Sequence, residues 1–271
     1  MYKIRHDRAV VHSGPPAGTQ PSEPGDGRSQ GAAVELDGVV PRVDAMAGGE
    51  AGVPGVSLRI PPGQSVALVS QPRDAATALF DVISGLARPR AGRLRVDGLA
   101  VHRLGGAELN RYRAHRGLIS PRFPLLPSLS VADNVLAAPP GPPGRPGGPA
   151  AQRASRLLEL AGAATLAGPA QRLPPEDQWR VMIARALMPS PRLVLAEDPA
   201  PGLDARAADR ILDVLVDVHA MLGFTLVLVA GRPASAVRCQ RRVLLAHGAV
   251  TEDELTGGDD PWTRSRVDRI G

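Results

Sequence analysis

Lys3 is the only lysine among the 32 basic residues of this chain. Cysteine is as scarce: Cys239 stands alone, which excludes an intramolecular disulfide and any cysteine-based metal site. Aromatic residues make up 3% of the sequence, and none falls between Tyr2 and Phe80. No apolar run approaches the roughly 18 residues that a membrane-spanning helix needs. The first residues, MYKIRHDRAVVH, lack the apolar stretch of an export signal. These absences point to a cytoplasmic protein.

What remains is enough for a full core. The 271 residues suffice for one large α/β domain, or a domain with a subdomain, and the 43% hydrophobic content is that of a globular protein. Net charge is +5. Arginine favours bidentate contact with phosphate or carboxylate, so an anionic partner is one reading. The arginines, however, are spread along a chain also rich in Ala, Gly and Pro, and compositional bias explains them more simply. No helix-turn-helix, aromatic–basic interleaving or zinc spacing supports nucleic-acid binding.

Residues 1–33 contain a Gly-, Pro- and Ser-rich stretch from Ser13 and read as a disordered tail. A second such stretch, APPGPPGRPGGPA at 138–150, reads as a surface linker. Residues 257–271 form a C-terminal tail that contains Trp262. Between the tails, 34–256 read as one domain. Strands are expected at Val34–Leu36, Val56–Ile60, Ser65–Val69, Arg93–Val96, Gly117–Ser120, Leu193–Ala196, Thr225–Val229 and Arg242–Ala246. The runs LVLA and TLVLVA are near-continuously apolar, as in strands covered on both faces. Helices are expected at Ala75–Ser84, Gly106–Arg113, Val131–Leu136, Ala151–Leu160, Glu176–Leu187 and Ala205–Met221. The last has an apolar stripe at 3.6-residue spacing and Asp204 as its N-cap. Strands alternating with helices imply a mainly parallel sheet.

The missing lysine matters most at 66–86, VALVSQPRDAATALFDVISGL. A buried strand, a short loop and an amphipathic helix are the setting of a phosphate-binding loop, GxxxxGK[ST], whose lysine reaches the β- and γ-phosphates. Only Thr77 fits that pattern here.

Taken in order, the segments resemble the ATP-binding subunit of ABC transporters, especially the lipoprotein-release and macrolide-export type, over roughly residues 53–255. The segments that carry the resemblance are VSLRIPPGQSVALV, ISGLARPRAGRLRVDG, RGLISPRFPLLPSLSVADNV, QWRVMIARALMPSPRLVLAEDPAPGLD and TLVLVAGRP. It implies a P-loop NTPase-like ABC ATPase fold, α/β in class. Such a fold has a mainly parallel sheet core, an antiparallel β edge and a helical subdomain, here at about 121–187. It also implies ATP and Mg²⁺ as cofactors, a membrane permease and a second cassette as partners, and a place at the inner face of the cell membrane.

The positions that would carry the chemistry have changed. In the phosphate loop, Ser70, Arg73 and Ala75 replace glycines and Ala76 replaces the lysine. Thr77 keeps the hydroxyl that would meet Mg²⁺. Glycines let the backbone curl around phosphate; Pro72 and Arg73 do not favour that shape. Asp74 precedes the helix as an N-cap whose carboxylate would sit where phosphate binds. Pro121 takes the glutamine position of the Q-loop. Pro174, Pro175, Glu176 and Asp177 take the signature position, starting a helix well while repelling phosphate. Glu197 and Asp198 invert the family's Asp–Glu pair. Glu197 keeps a carboxylate for metal, and Asp198 is one methylene short for the base role. Gly231 replaces the histidine of the H-loop. The stretch before Phe80 offers no aromatic for adenine.

The losses fall on ligand contacts, while strands and packing helices persist. The leading expectation is a cassette without its ATPase chemistry, acting as a scaffold or regulatory partner of a permease. It would act as a homodimer or beside another cassette and touch the permease through Phe123–Leu129. The alternative for that segment is that Phe123, Leu125 and Leu126 are core. Two other functions stay open: an active ATPase using Arg73, Thr77, Glu197 and Asp198 in altered geometry, and a non-transport protein that binds anions or nucleic acid.

Overall fold

The computed structural model describes residues 31–42, 55–70, 74–138, 148–198 and 202–256. The tail readings for 1–30 and 257–271, Arg73 in the phosphate-loop position and most of the 138–150 linker lie outside these residues.

Ten strands are described: β1 Val34–Val40, β2 Val56–Ile60, β3 Ser65–Ser70, β4 Ala91–Val96, β5 Leu99–Ala100, β6 Gly117–Ile119, β7 Leu193–Glu197, β8 Thr225–Val229, β9 Arg241–Ala246 and β10 Ala249–Leu255. Seven α-helices join them: α1 Asp74–Ser84, α2 Gly106–Ala114, α3 Val131–Leu136, α4 Pro149–Leu160, α5 Pro175–Leu187, α6 Ala205–Leu222 and α7 Pro233–Ala236. Six strands form one sheet in the order β10-β9-β3-β8-β7-β6, parallel from β9 to β6, with β10 added antiparallel. A second, antiparallel sheet has the order β2-β1-β4-β5. The parallel core with an antiparallel β edge is the architecture expected from the sequence.

The reasons are local and then tertiary. Every residue of β7 and β8 is buried, which explains the apolar runs Leu193–Ala196 and Leu226–Val229 within them. α1 lies against one face of the sheet, with Ala76, Leu79, Phe80, Val82 and Ile83 turned inward. Burying a side chain such as Phe80 stabilises the fold by roughly 1.5–3 kcal/mol. α6 buries Ala208, Ile211, Leu212, Leu215 and Val218. Its N-cap is Asp204, whose carboxylate accepts from Ala207 N at 2.7 Å, and it stops at Gly223, where φ is +71° and glycine is favoured. α3, α4 and α5 pack together at the end of the sheet near β6, around Val135, Leu157, Leu158 and Trp179.

Two boundaries differ from the sequence reading. Ala32 is buried, with its N–H on Arg192 O at 2.9 Å, so the last residues assigned to the N-terminal tail belong to the domain. Pro149 and Ala150, assigned to the linker, form the first turn of α4. Proline costs nothing in that turn, because its missing N–H would have had no helical partner.

Candidate functional site

Four neighbouring parallel strands, β3, β8, β7 and β6, end on the same side of the sheet. In open α/β sheets the ligand crevice lies outside those carboxyl ends. Ser70, Ser120, Glu197 and Val229 stand at or just beyond them, so the topology brings Ser70, Pro121, Glu197, Asp198 and Gly231 to one edge.

At the end of β3, Ser70 is buried, and its Oγ accepts from the N–H of Ala76 at 3.1 Å. That amide lies in the first turn of α1, where backbone N–H groups have no helical acceptor. Ser70 therefore takes the capping role expected of Asp74, which is exposed and lies within the first turn. There its charge still complements the helix dipole. Ala75 and Thr77 are half-buried on the same turn.

The end of β7 carries the two carboxylates, and their environments differ. Glu197 is buried and both its oxygens are taken. Ser120 Oγ donates to Oε2 at 2.6 Å, and the Arg122 guanidinium lies 2.8 Å from Oε1. The same guanidinium stands 2.8 Å from Asp81 Oδ1 on α1, an ion pair not aligned for a hydrogen bond. It also covers the Phe80 ring at 5.0 Å and the Phe123 ring at 5.8 Å from their centroids. Arg122 N donates back to Ser120 Oγ at 3.1 Å. Thr77 is one helical turn before Asp81, on the same face of α1.

Asp198 turns the other way, towards the segment after β8. Its Oδ2 accepts from Gly231 N at 3.0 Å and from Ser235 Oγ at 2.9 Å, and Arg232 Nε stands 3.5 Å away. Arg232 continues to Asp209 on α6, with a bond of 3.0 Å. Asp198 is 1% exposed, and its Oδ1 has no hydrogen-bond partner among the described residues.

Pro121 is exposed, directly after Ser120. Beyond it the chain is tied down from two sides. Arg185 of α5 donates to the carbonyls of Phe123 and Pro124. The buried Asn134 accepts from Leu126 N at 2.7 Å and donates to the carbonyls of Leu126, Leu129 and Ser130. Leu125 is core and Phe123 half-buried, but Leu126 is 50% exposed, so the segment is partly core and partly surface.

At the signature position, Pro174 precedes α5 and Pro175 opens it. Glu176 is not a bare anion. It accepts from Arg180 at 3.0 Å and from both Nε and NH2 of Arg210 on α6, at 3.0 and 2.5 Å. The Arg210 bonds, then those of Arg180, hold its carboxyl down at about 2. Asp177 stands 3.9 Å from Arg180. The repulsion expected from these acids is thus offset by two guanidinium groups.

Arg122, Arg232, Asp81, Ser120 and Ser235 were not singled out from the sequence. One signal was present. Arg122 directly follows Pro121 and Arg232 directly follows Gly231, so each arginine sits beside a position singled out from the sequence, just beyond a strand end.

The sequence matches the ABC transporter family over residues 53–201. It is 35% identical over 224 residues to the lipoprotein-releasing system ATP-binding protein LolD of Anaeromyxobacter dehalogenans, a match covering 81% of this chain and 93% of that protein. It is 34% identical over 228 residues to the macrolide export ATP-binding/permease protein MacB of Chromobacterium violaceum, covering 82% of this chain but only 35% of that longer protein. Among solved structures, a dimeric bacterial ABC transporter cassette superposes with a TM-score of 0.69 at 25% identity, over 83% of this chain and all of that one.

Proposed function

The chain belongs to the ABC transporter ATP-binding family, and from that premise we propose that it is a cassette subunit that keeps the family's shape without its ATPase chemistry. Members of the family bind ATP with Mg²⁺. The observation that carries the proposal is that both carboxylates at the β7 end are already engaged by the chain's own serine, arginine and backbone N–H groups.

Of the carboxylate oxygens of Glu197 and Asp198, only Asp198 Oδ1 lacks a partner among the described residues. Mg²⁺ demands near-octahedral oxygen ligands at about 2 Å, and a guanidinium against Glu197 removes one of those oxygens while adding like charge. Phosphate needs N–H groups at the start of α1, and Ser70 already takes the one on Ala76. Ala76 supplies no cation, and Pro121 and Gly231 supply no side-chain ligand. Asp198 faces Gly231 and Ser235, and both donors are spent on holding it. The residues present do not fit Mg-ATP.

On this reading the chain is a scaffold or regulatory partner of a membrane permease, paired with itself or with another cassette. No described helix is long and apolar enough to cross a membrane, and the proposed place is peripheral, at the inner face beside the permease. Contact through the exposed Leu126 is consistent with this. Internal ion pairs occupy many arginines, among them Arg122, Arg180, Arg210, Arg232, Arg238 and Arg241, which weakens the anion- or nucleic-acid-binding alternative.

Vanadate-sensitive phosphate release by the purified chain tests the proposal against an active ATPase with altered motifs. We expect none above the rate without protein. Turnover that is lost in Asp198→Asn would overturn the proposal.

A further inference from the structure

The Arg122 cluster has a meaning of its own. Three elements meet at one guanidinium: Asp81 from α1, Glu197 from the end of β7, and the loop after β6 that carries Arg122 itself. The planar fork reaches two carboxylates while its face rests on Phe80 and Phe123, which the point charge of a lysine does not reproduce. Local backbone prepares the placement. Ser120 Oγ accepts from Arg122 N while its carbonyl accepts from Phe123 N at 3.0 Å, so a tight turn aims the side chain at Glu197.

We infer that Arg122 is a tethered cation that closes the Glu197 site to divalent metal and fastens the β6–α3 loop to α1 and β7 without any ligand. Glu197 is a buried carboxylate that needs a cation, and the chain supplies one. With Arg185 and Asn134 holding the next residues, the position of Phe123–Leu126 is set by fixed protein charges and amides. The second half of this inference deepens the proposed function and rests on it; the exclusion of metal does not.

Mn²⁺, read by electron paramagnetic resonance and by its effect on Tm, is the probe. The full chain is compared with Arg122→Ala, Arg122→Gln and the double variant Arg122→Ala/Glu197→Gln. Arg122→Gln keeps much of the stem over Phe80 and serves if the alanine variant folds poorly. The wild type should show no saturable Mn²⁺ binding and an unchanged Tm. Either single variant should have a lower Tm, gain a site at least about tenfold tighter than any in the wild type, and be stabilised by the metal. The double variant should lose that site. Saturable Mn²⁺ binding by the wild type that disappears in Glu197→Gln overturns the inference, as does failure of both single variants to gain metal. ATP binding by a wild type that takes no Mn²⁺ at Glu197 would instead contradict the proposed function and leave the role of Arg122 standing.

Discussion

Replacing Glu176 with glutamine should weaken the fold at neutral pH and much less in acid. The carboxylate is gripped by Arg210 from α6 and Arg180 from its own helix, and its pKa falls from the ordinary 4.5 to about 2. Unscreened, at 1.36 kcal/mol per pKa unit, that is about 3 kcal/mol. The side chains are 23% exposed for Glu176 and 54% for Arg210, so water screens the pair. Surface ion pairs give about 0–1 kcal/mol, and we expect about 1 kcal/mol here because the contact is bidentate. The sign follows from the depressed pKa. The contribution is fully present above 4.5, the unfolded value, and is lost as pH falls through about 2. Urea unfolding of wild type and Glu176→Gln at neutral pH, and again near the low end of that window, reads the difference. The gap should shrink in acid and also in about 1 M salt. A gap that holds constant through both changes would show that Glu176 contributes packing and not charge.

Other substitutions probe the scaffold itself. Asn134→Ala removes the anchor of the loop at Leu126–Ser130 and leaves Leu126 N unpaired, so it should cost about 2–3 kcal/mol in chemical denaturation. Phe80→Ala opens a cavity under α1, beside Arg122, and should cost about 3–5 kcal/mol by the same measurement. Burial pushes the Cys239 thiol up to about 12, so it should not react with a disulfide reagent at neutral pH until the chain is unfolded. Prompt labelling of native protein would place Cys239 outside the core.

The parts of the fold written in local pattern were legible from the chain alone. β7 and β8 announce themselves as near-continuous apolar runs, and α6 by its stripe and its Asp204 cap. β10 was missed because AVTEDEL is acidic and largely exposed. What makes it a strand is pairing with β9, reinforced by Arg241–Asp253 at 2.6 Å and Arg242–Glu254 at 2.6 Å. α7 is only four residues long, too short to show a period. Ser70, Ala76, Pro121 and Gly231 could be singled out by comparison with a motif. Their consequences could not, because the Arg122 cluster joins residues 81, 120, 122 and 197, which only the folded sheet brings together. For the same reason the sequence names Asp74 as the cap, whereas Ser70 Oγ is what accepts from the first turn of α1. The hydrogen bond from Ala76 N decides the matter, and only geometry shows it.

In the proposed function this cassette does not hold its family's nucleotide. Isothermal titration of Mg-ATP into the purified chain tests that directly. We expect no saturable heat at ligand concentrations up to about 1 mM, a range in which a weak but real site would give about −4 kcal/mol. A single-site isotherm with micromolar affinity would contradict it.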